Sequence, residues 1–268
     1  MKKLLTFLMI GMIVASSGYA AEEINIVGST TVLPIAQLTA EEFMNSNPGI
    51  EITVGGGGSS IGAKALVSGT CDIADCSRPL KDKEIDEALA KGIKPKPHIV
   101  AMDGIAVVVN KSNNLKEISS DDLKAIYTGD ISNWSEVGGS DAGIVVVSRD
   151  TSSGTYEAFN ELALKKAKVR PDALLQASNK AVLQTVVQTP NAIGYIGMGY
   201  LDDSVNALVV EGVFPTKDTV LTKEYPISRP LYMYTDGEPK GQLKKYLDYV
   251  KSVEGQKLVE SQGFVGIA

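Results

Sequence analysis

The sequence predicts an α/β fold in which a mainly parallel sheet is divided between two lobes. Short apolar segments alternate with stretches of helical periodicity, and this alternation stops and then starts again part-way along the chain. Two apolar segments, Ile105–Asn110 and Arg229–Tyr234, stand where one pattern gives way to the other, and we expect both to cross between the lobes. The expected domains are therefore residues 21–103 plus 228–268 and residues 104–227.

The individual elements follow from apolar runs and from turn residues. The strands expected in the first lobe are Ile24–Val27, Ile50–Val54, Ile73–Ala74 and Ile99–Met102, and its helices are Thr31–Asn47, Ile61–Ser68, Asp82–Lys91, Lys240–Ser252 and 255–261. The second lobe is expected to contain the strands Ile144–Val147 and Ile193–Ile196 and the helices 119–127, Thr155–Lys168 and Asn179–Gln188. Glycine or proline follows most of these helices, as is typical of helix ends.

The first twenty residues have the pattern of a secretory signal peptide. Lys2 and Lys3 precede the apolar run Leu4–Ala15, and small residues lead to Ala20. The apolar run is shorter than the roughly 20 residues that a membrane-spanning helix needs. We expect cleavage after Ala20 and a mature protein in the periplasm.

The charge balance excludes some classes of partner. The chain has 26 basic and 32 acidic residues, a formal net charge of −6, and no basic run in the mature part. This composition argues against binding to nucleic acid or to an anionic membrane surface, and we expect a monomer. The single histidine, His98, excludes a multi-histidine metal site and most acid–base schemes, so we expect no metal, no cofactor and no enzymatic activity.

The two cysteines, Cys71 and Cys76, are expected to be separate buried thiols. The residues between them alternate like a short strand, which would hold their Cα atoms ~16 Å apart. A disulfide needs ~4.4–6.8 Å between these atoms. The alternative is a disulfide, since the periplasm is oxidising.

Three junctions between a strand and the following helix share one chemistry. They are Gly28-Ser29-Thr30-Thr31, Gly55 to Ser60 with Ser59, and Arg149 to Thr155 with Ser153 and Gly154. A helix N-terminus carries about half a positive charge and several unpaired N–H groups, while serine and threonine add O–H donors. Because parallel strands end at one edge of a sheet, these junctions predict an anion site there. For each junction alone, the alternative is an ordinary helix cap.

Charged side chains occur in the third junction and in a fourth segment. Arg149 is the one full positive charge of the three junctions, and its guanidinium suits bidentate contact with an oxyanion; a salt bridge is the alternative. The fourth segment, Asp75 to Leu80, adds the hydroxyl of Ser77. We expect its Arg78 to be exposed or part of a lid.

Several segments occur together in a fixed order along the mature chain. They are Gly28-Ser29-Thr30-Thr31, Gly57-Gly58-Ser59-Ser60, Ser77-Arg78-Pro79-Leu80, Asp103–Asn110, Ile126-Tyr127-Thr128-Gly129, Asn133-Trp134, Arg149–Thr155 and Ala192–Gly197. In this combination the chain resembles the phosphate-binding proteins of bacterial phosphate ABC transporters.

The resemblance implies the two-lobed periplasmic-binding-protein fold with two hinge-crossing strands, closing over phosphate that is delivered to a membrane permease. It implies ligand contacts from both lobes. Together with the junctions it assigns to inorganic phosphate the residues Ser29, Thr30, Thr31, Ser59, Ser60, Ser77, Arg149, Ser153, Gly154 and Thr155.

This chain departs from the best-known family members at two positions. They have aspartate, which accepts a proton from phosphate, where Ser77 and Thr151 stand. Asp150, Asp75 or Asp103 could supply the missing acceptor. A binding protein for sulfate or a metal oxyanion is therefore one alternative. A phosphatase or serine hydrolase acting through Ser153 or Ser59 is a more remote one, because no G-x-S-x-G motif is present.

Overall fold

The computed structural model describes residues 22–267, and the signal peptide expected at residues 1–20 lies outside this range. The strands are β1 (Glu22–Gly28), β2 (Ile50–Gly55), β3 (Ile73–Cys76), β4 (Pro95–Asn110), β5 (Glu117–Ile118), β6 (Val145–Arg149), β7 (Leu174–Gln176), β8 (Ala192–Gly197), β9 (Val205–Ala207), β10 (Val209–Val210) and β11 (Ser228–Asp236). The helices are α1 (Leu33–Ser46), α2 (Ser59–Ser68), α3 (Asp82–Ala90), α4 (Ser120–Thr128), α5 (Gly154–Leu162), α6 (Asn179–Gln188), α7 (Lys217–Leu221), α8 (Gly241–Lys251) and α9 (Val253–Ser261).

One long strand connects two sheet regions. The strand order is β2-β1-β3-β11-β4-β8-β6-β7, with β9 also paired to β4. Strand β1 is parallel to β2 and β3, and β6 is parallel to β8 and β7, whereas β11 and β4 run antiparallel to their neighbours. The α/β fold expected from the sequence is confirmed, with antiparallel pairing concentrated where the two regions meet.

The two lobes are joined along β4 and at the start of β11. Strand β4 has 16 residues: its first part pairs with β11, as far as Gly104 opposite Ser228, and its second part pairs with β8 from Ile105 onward. Beside this point the amide of Ile105 donates to the carbonyl of Ile227 at 2.8 Å. The two strands expected at either end of this stretch are thus one continuous strand. We call residues 22–103 plus 228–267 the first lobe and residues 104–227 the second lobe.

Each lobe has apolar residues buried on both faces of its sheet. In the first lobe, one cluster includes Ile26, Phe43 and Tyr246, and the opposite one includes Leu66. In the second lobe, one cluster is built around aromatic rings and the opposite one contains mainly valine, including Val182. This double coverage is typical of parallel sheets flanked by helices.

The two cysteines are free thiols, as expected. Both are buried in the first lobe, where they pack with Leu66 and Tyr234. Burial raises the pKa of Cys71 to about 12 and that of Cys76 even further. These thiols therefore pack as small apolar groups rather than as reactive thiolates.

Helix boundaries at the three junctions differ from the sequence-based expectation. Helix α1 begins at Leu33 rather than at Thr31. Helix α2 begins at Ser59 rather than Ile61, because Gly58 adopts φ of 112° and turns the chain immediately before it. Helix α5 ends at Leu162 rather than at Lys168. Lys165 and Lys166 lie in the left-handed region, with φ of 52° and 64°, and this conformation ends the helix.

The aromatic cluster of the second lobe gives a test of core packing. Phe159 stacks on Tyr195 with ring centroids 3.9 Å apart and meets Tyr127 edge-on at 4.9 Å. We expect Phe159→Ala to lower the free energy of unfolding by about 3–5 kcal/mol. Phe214, with 45% exposure, is the matched control, and Phe214→Ala should cost no more than about 0.5 kcal/mol. Urea titration followed by fluorescence of the buried Trp134 measures both; equal losses would contradict the packing described.

Candidate functional site

The strand-to-helix junctions of the two lobes meet at one buried cluster of hydroxyl groups. The Oγ1 atoms of Thr31, from the first lobe, and Thr155, from the second, lie 2.8 Å apart. The amide of Ser60 donates to the carbonyl of Ser152 across the same boundary at 3.0 Å. The structure therefore brings together the three junctions that the sequence singles out.

Ser29 and Ser153 occupy equivalent positions in the two lobes. Ser29 Oγ accepts from the amides of Thr31 at 3.1 Å and Val32 at 3.4 Å. Ser153 Oγ accepts from the amides of Thr155 and Tyr156, both at 3.1 Å. Ser153 is thus the N-cap of α5, as the alternative interpretation had it, whereas Ser29 caps the turn that leads into α1. Each hydroxyl also keeps its own hydrogen to donate, because accepting two bonds fills only the lone pairs.

Ser59 and Ser77 form a second pair of hydroxyls beside the first. Ser59 Oγ accepts from the amide of Ser77 at 3.0 Å and lies 3.3 Å from Ser77 Oγ. Gly154 of the other lobe approaches both closely, since a Cβ atom there would lie 2.2 Å from Ser59 Oγ and 2.7 Å from Ser77 Oγ. Only glycine permits this approach of the two lobes.

Ser60 and Arg78 lie apart from the hydroxyl cluster. The hydroxyl of Ser60 accepts from Arg78 Nη2 at 3.1 Å and is 3.5 Å from a carboxylate oxygen of Glu157. Ser60 is therefore directed toward ion pairs rather than toward Ser59 and Ser77. Arg78, which we expected to be exposed or in a lid, is only 5% exposed and pairs with acids of both lobes.

Arg149 is buried, but most of its guanidinium is already bonded. Its Nε donates to the carbonyl of Gln176 and its Nη2 to that of Ala177, both at 3.0 Å. Only Nη1 is buried without a hydrogen-bond partner among the described residues. Burial lowers the pKa of Arg149 below its usual value. The expected bidentate contact between Arg149 and a ligand therefore does not fit this geometry. One nitrogen, Nη1, is free to donate.

Arg229, which the junction motifs do not include, lies at the centre of the cluster. Its Nε and Nη2 donate to Asp103 Oδ2 at 2.9 and 2.7 Å, and Nη2 also reaches Thr31 Oγ1 at 3.3 Å and Thr155 Oγ1 at 3.1 Å. Nη1 donates to the carbonyls of Ser77 at 3.0 Å and Gly154 at 3.4 Å. All five N–H groups are therefore engaged, and Arg229 orients other groups rather than binding a ligand itself.

Asn179, at the start of α6, is a second residue that the junction motifs do not include. Its Nδ2 lies 3.3 Å from Thr30 Oγ1 and 3.0 Å from Thr31 Oγ1, and its Oδ1 accepts from the amide of Gly197 at 3.1 Å. Helix α6 thus contributes a side-chain donor to the junction of the opposite lobe. The signal in the sequence was Ser178-Asn179 directly before an amphipathic helix, which resembles an ordinary cap.

The acids that could replace the family aspartates differ in their surroundings. Asp103 is held by Arg229; burial raises its pKa, and the guanidinium opposes that rise. Asp150 accepts from the amide and hydroxyl of Ser152 and so holds its own loop. Both carboxyl oxygens of Asp75 are buried without a partner among the described residues, and burial raises its pKa well above the usual value. Thr151 is exposed.

The one histidine is outside the cluster. His98 lies in β4, where its Nε2 is 2.8 Å from Thr235 Oγ1, and burial lowers its pKa. Between residues 22 and 267, no three His, Cys, Asp or Glu side chains are grouped to hold a metal ion. The chemistry of the cluster is that of hydrogen-bond donors converging from two lobes.

Comparison with known proteins identifies relatives along almost the whole chain. The family description "PBP superfamily domain" matches residues 14–254. The phosphate-binding protein PstS of Bacillus subtilis is 39% identical, the match covering 92% of this chain and 82% of that protein. PstS of Borreliella burgdorferi is 34% identical, with coverage of 91% and 90%.

Solved structures give the same result. A crystal structure with bound phosphate, of a substrate-binding protein assigned to a phosphate ABC transporter of Clostridium perfringens, is 36% identical with a TM-score of 0.86, covering 92% of this chain and all of the other. An ABC-type phosphate transport receptor from Vibrio cholerae is 34% identical with a TM-score of 0.75, covering 90% and 99%.

The buried pair at the centre of the cluster gives a test that needs no ligand. Asp103→Asn removes the charge that balances Arg229 and places an amide donor against either the guanidinium or the backbone N–H of Met198. We expect a loss of about 3–5 kcal/mol in the free energy of unfolding, because a buried charge is left unpaired. The control is Asp172→Asn in the ion pair with Arg170, where Asp172 is 65% exposed; it should cost less than about 1 kcal/mol. Similar losses in urea titrations of the two variants would contradict the central role of Asp103.

Proposed function

This chain belongs to the PBP superfamily and, within it, to the family of PstS phosphate-binding proteins. From that premise we propose that it captures inorganic phosphate between its lobes and delivers it to the membrane permease of an ABC transporter. The observation that carries the proposal is the convergence, from both lobes, of buried donors whose hydrogens have no other acceptor. Relatives named for phosphate binding or phosphate transport support the choice of anion.

The hydrogen-bond network supports an anion because it leaves hydroxyl hydrogens without an acceptor among the described residues. Ser29 and Ser153 accept two amides each, so their O–H groups remain to donate. Thr31 accepts from Asn179 and Arg229, and Thr155 accepts from Arg229. Of the two threonine hydrogens, one forms the bond between the two hydroxyls and the other is left to donate. A ligand made of oxygen acceptors satisfies all of these groups.

Charge at the site comes from Arg149 and from helix N-termini. Arg149 Nη1 is buried without a hydrogen-bond partner among the described residues, while the charge of Arg229 is balanced by Asp103. Helices α1, α2 and α5 begin at the same cluster and add the partial positive charge of their first turns. This arrangement favours a small anion even though the whole chain is acidic.

The choice of phosphate over sulfate needs an acceptor, because phosphate keeps a proton at neutral pH. We propose Ser77 as that acceptor, since its hydroxyl can donate to Ser59 and still accept from the ligand. Thr30, which receives one long contact from Asn179, could also accept. Hydroxyls can turn to donate as well, so sulfate is the second candidate ligand and the margin between the two anions should be narrow.

The remaining parts of the proposal follow from capture and delivery. We propose a monomer that works in the periplasm after cleavage behind Ala20, without catalysis and without nucleic acid as partner. The two domains, 21–103 plus 228–268 and 104–227, would close about β4 and the start of β11. Within the described part of the chain, no helix is both long and apolar enough to cross a bilayer.

Arg149→Ala should weaken phosphate binding by about 2–5 kcal/mol, because a charge-assisted bond in a buried site is lost. Arg149→Lys should recover only part of this, since lysine cannot also hold the carbonyls of Gln176 and Ala177. Isothermal titration calorimetry measures both variants, with Lys168→Ala as the control at an exposed position of the same lobe. Full affinity for phosphate in Arg149→Ala, with a native circular dichroism spectrum, would show that the binding site lies elsewhere.

Ser77→Asp should widen the affinity margin between phosphate and sulfate by at least about tenfold, because a carboxylate accepts a hydrogen bond from protonated phosphate but repels sulfate. Ser77→Ala should narrow it. Competition titrations at neutral pH compare both with wild type and with Ser68→Asp, which adds the same charge at an exposed position of the same lobe. Sulfate binding as tightly as phosphate in wild type would refute phosphate as the ligand, and an unchanged margin in Ser77→Asp would remove Ser77 from the site.

A further inference from the structure

A set of ion pairs joins the two lobes beside the hydroxyl cluster. Glu157 belongs to α5 of the second lobe, and its Oε2 lies 2.5 Å from Arg78 Nε of the first lobe. Its Oε1 lies 2.8 Å from Lys81 Nζ, also of the first lobe. Arg78 is 5% exposed and Glu157 17% exposed, whereas Lys81 is 53% exposed. The pair with Arg78 is thus the one largely removed from water, where charge pairing is strongest.

The first lobe holds Arg78 in place by itself. Glu84 accepts from both Nη1 and Nη2 of Arg78 at 2.8 Å, and also from the amide of Lys81 at 2.9 Å. Arg78 Nη2 further donates to Ser60 Oγ at 3.1 Å. Because these partners all belong to one lobe, the guanidinium stays oriented when the lobes separate. Only the contact with Glu157 depends on closure.

Glu157 and the second-lobe residues of the hydroxyl cluster are parts of one helix. Helix α5 begins at Gly154 and Thr155, which lie in the cluster, and Glu157 follows in the same turn with its amide bonded to the carbonyl of Ser153 at 3.2 Å. Any movement that brings Gly154 against Ser59 also brings Glu157 against Arg78. Ligand contact and ion pairing therefore occur together.

We propose that Glu157, with Arg78, Lys81 and Glu84, forms an interlobe latch that sets the affinity of the site by stabilising the closed state without contacting the ligand. The proposal rests on the function proposed above, capture of an anion between the lobes. Glu157 is on this account a positioning residue.

The latch should act on release rather than on capture. An interaction present only in the closed state adds to the barrier for opening, but it is not yet formed when the ligand enters the open cleft. Loss of one partner of an interface ion pair typically changes the dissociation rate more than the association rate. Lys81 contributes less than Arg78, because pairs of exposed charges are weak.

The test is stopped-flow measurement of phosphate release from wild type, Glu157→Gln and Glu161→Gln. Glu161 lies on the same helix, is 66% exposed and pairs with Lys166 of its own lobe, so its replacement makes the same change in net charge without touching the latch. We expect release from Glu157→Gln to be about tenfold faster, equivalent to ~1.4 kcal/mol, and release from Glu161→Gln to match wild type. Association rates should be the same in both variants.

Two further measurements separate the latch from a general structural effect. Glu157→Asp keeps the charge but shortens the side chain by one methylene, so its release rate should lie between those of wild type and Glu157→Gln. The unfolding midpoint of the phosphate-free protein should be the same in all variants, since the contact is absent when the lobes are apart. A lowered midpoint in Glu157→Gln would indicate a structural role and overturn the proposal.

The same experiment distinguishes failure of the latch from failure of the proposed function. Release of sulfate is measured in parallel, so that the latch is tested with whichever anion the site holds. If wild type binds neither anion, the proposed function is wrong and the latch falls with it. If wild type binds one and Glu157→Gln releases it at the wild-type rate, the latch alone is wrong.

Discussion

The arrangement of this protein depends on one buried ion pair, between Asp103 and Arg229. The two residues face each other in the antiparallel register of β4 and β11, next to the point where both chain connections pass between the lobes. Two charges removed from water are tolerated only if they are paired and fully hydrogen-bonded. This requirement favours the register that places Asp103 opposite Arg229, at the point where one lobe ends and the other begins. The same guanidinium then reaches the threonines that lead into α1 and α5.

The ion pair also explains how an acidic chain can form a site for an anion. The charge of Arg229 is balanced by Asp103, so Arg229 orients the neighbouring hydroxyl groups but adds no net charge to the site. It donates to one lone pair of Thr31 and one of Thr155, and the donor Asn179 and the bond between the two hydroxyls occupy the others, so one hydrogen of the pair has no acceptor among the described residues. The backbone amides fill the lone pairs of Ser29 and Ser153 in the same way. Hydrogen bonds from these donors act at short range and in a set direction. The repulsion between an anion and the acidic surface acts through water, where dissolved salt screens it. The local donors therefore outweigh the overall charge.

Sequence patterns predicted the junctions but not the residues that organise them. Small hydroxyl residues after apolar strands are a local signal, so the helix N-termini and their meeting point could be expected. Arg229 and Asp103 are 126 positions apart, and their contact depends on the register of β11, which no local pattern specifies. The available signal was a charged residue at the start of the crossing segment Arg229–Tyr234 and another, Asp103, two positions before the crossing segment Ile105–Asn110. The fork of Arg149 and the hydroxyl of Ser60 point differently from the expectation, because neighbouring carbonyls and Arg78 compete for them.

Neutralising Arg229 has a consequence for specificity that an unpaired arginine would not have. A second free charge in the cleft would attract every small anion, since Coulomb attraction does not depend on where protons sit on the ligand. With the charge of Arg229 balanced, discrimination between anions depends on the hydroxyl groups that can only donate. It also depends on the few groups, such as Ser77, that can still accept a hydrogen bond from the ligand. Affinity must then be recovered by other means. In the function proposed above, contacts made only on closure, at Gly154 and at Glu157, would supply affinity without adding charge to the site, and different residues would then determine recognition and release.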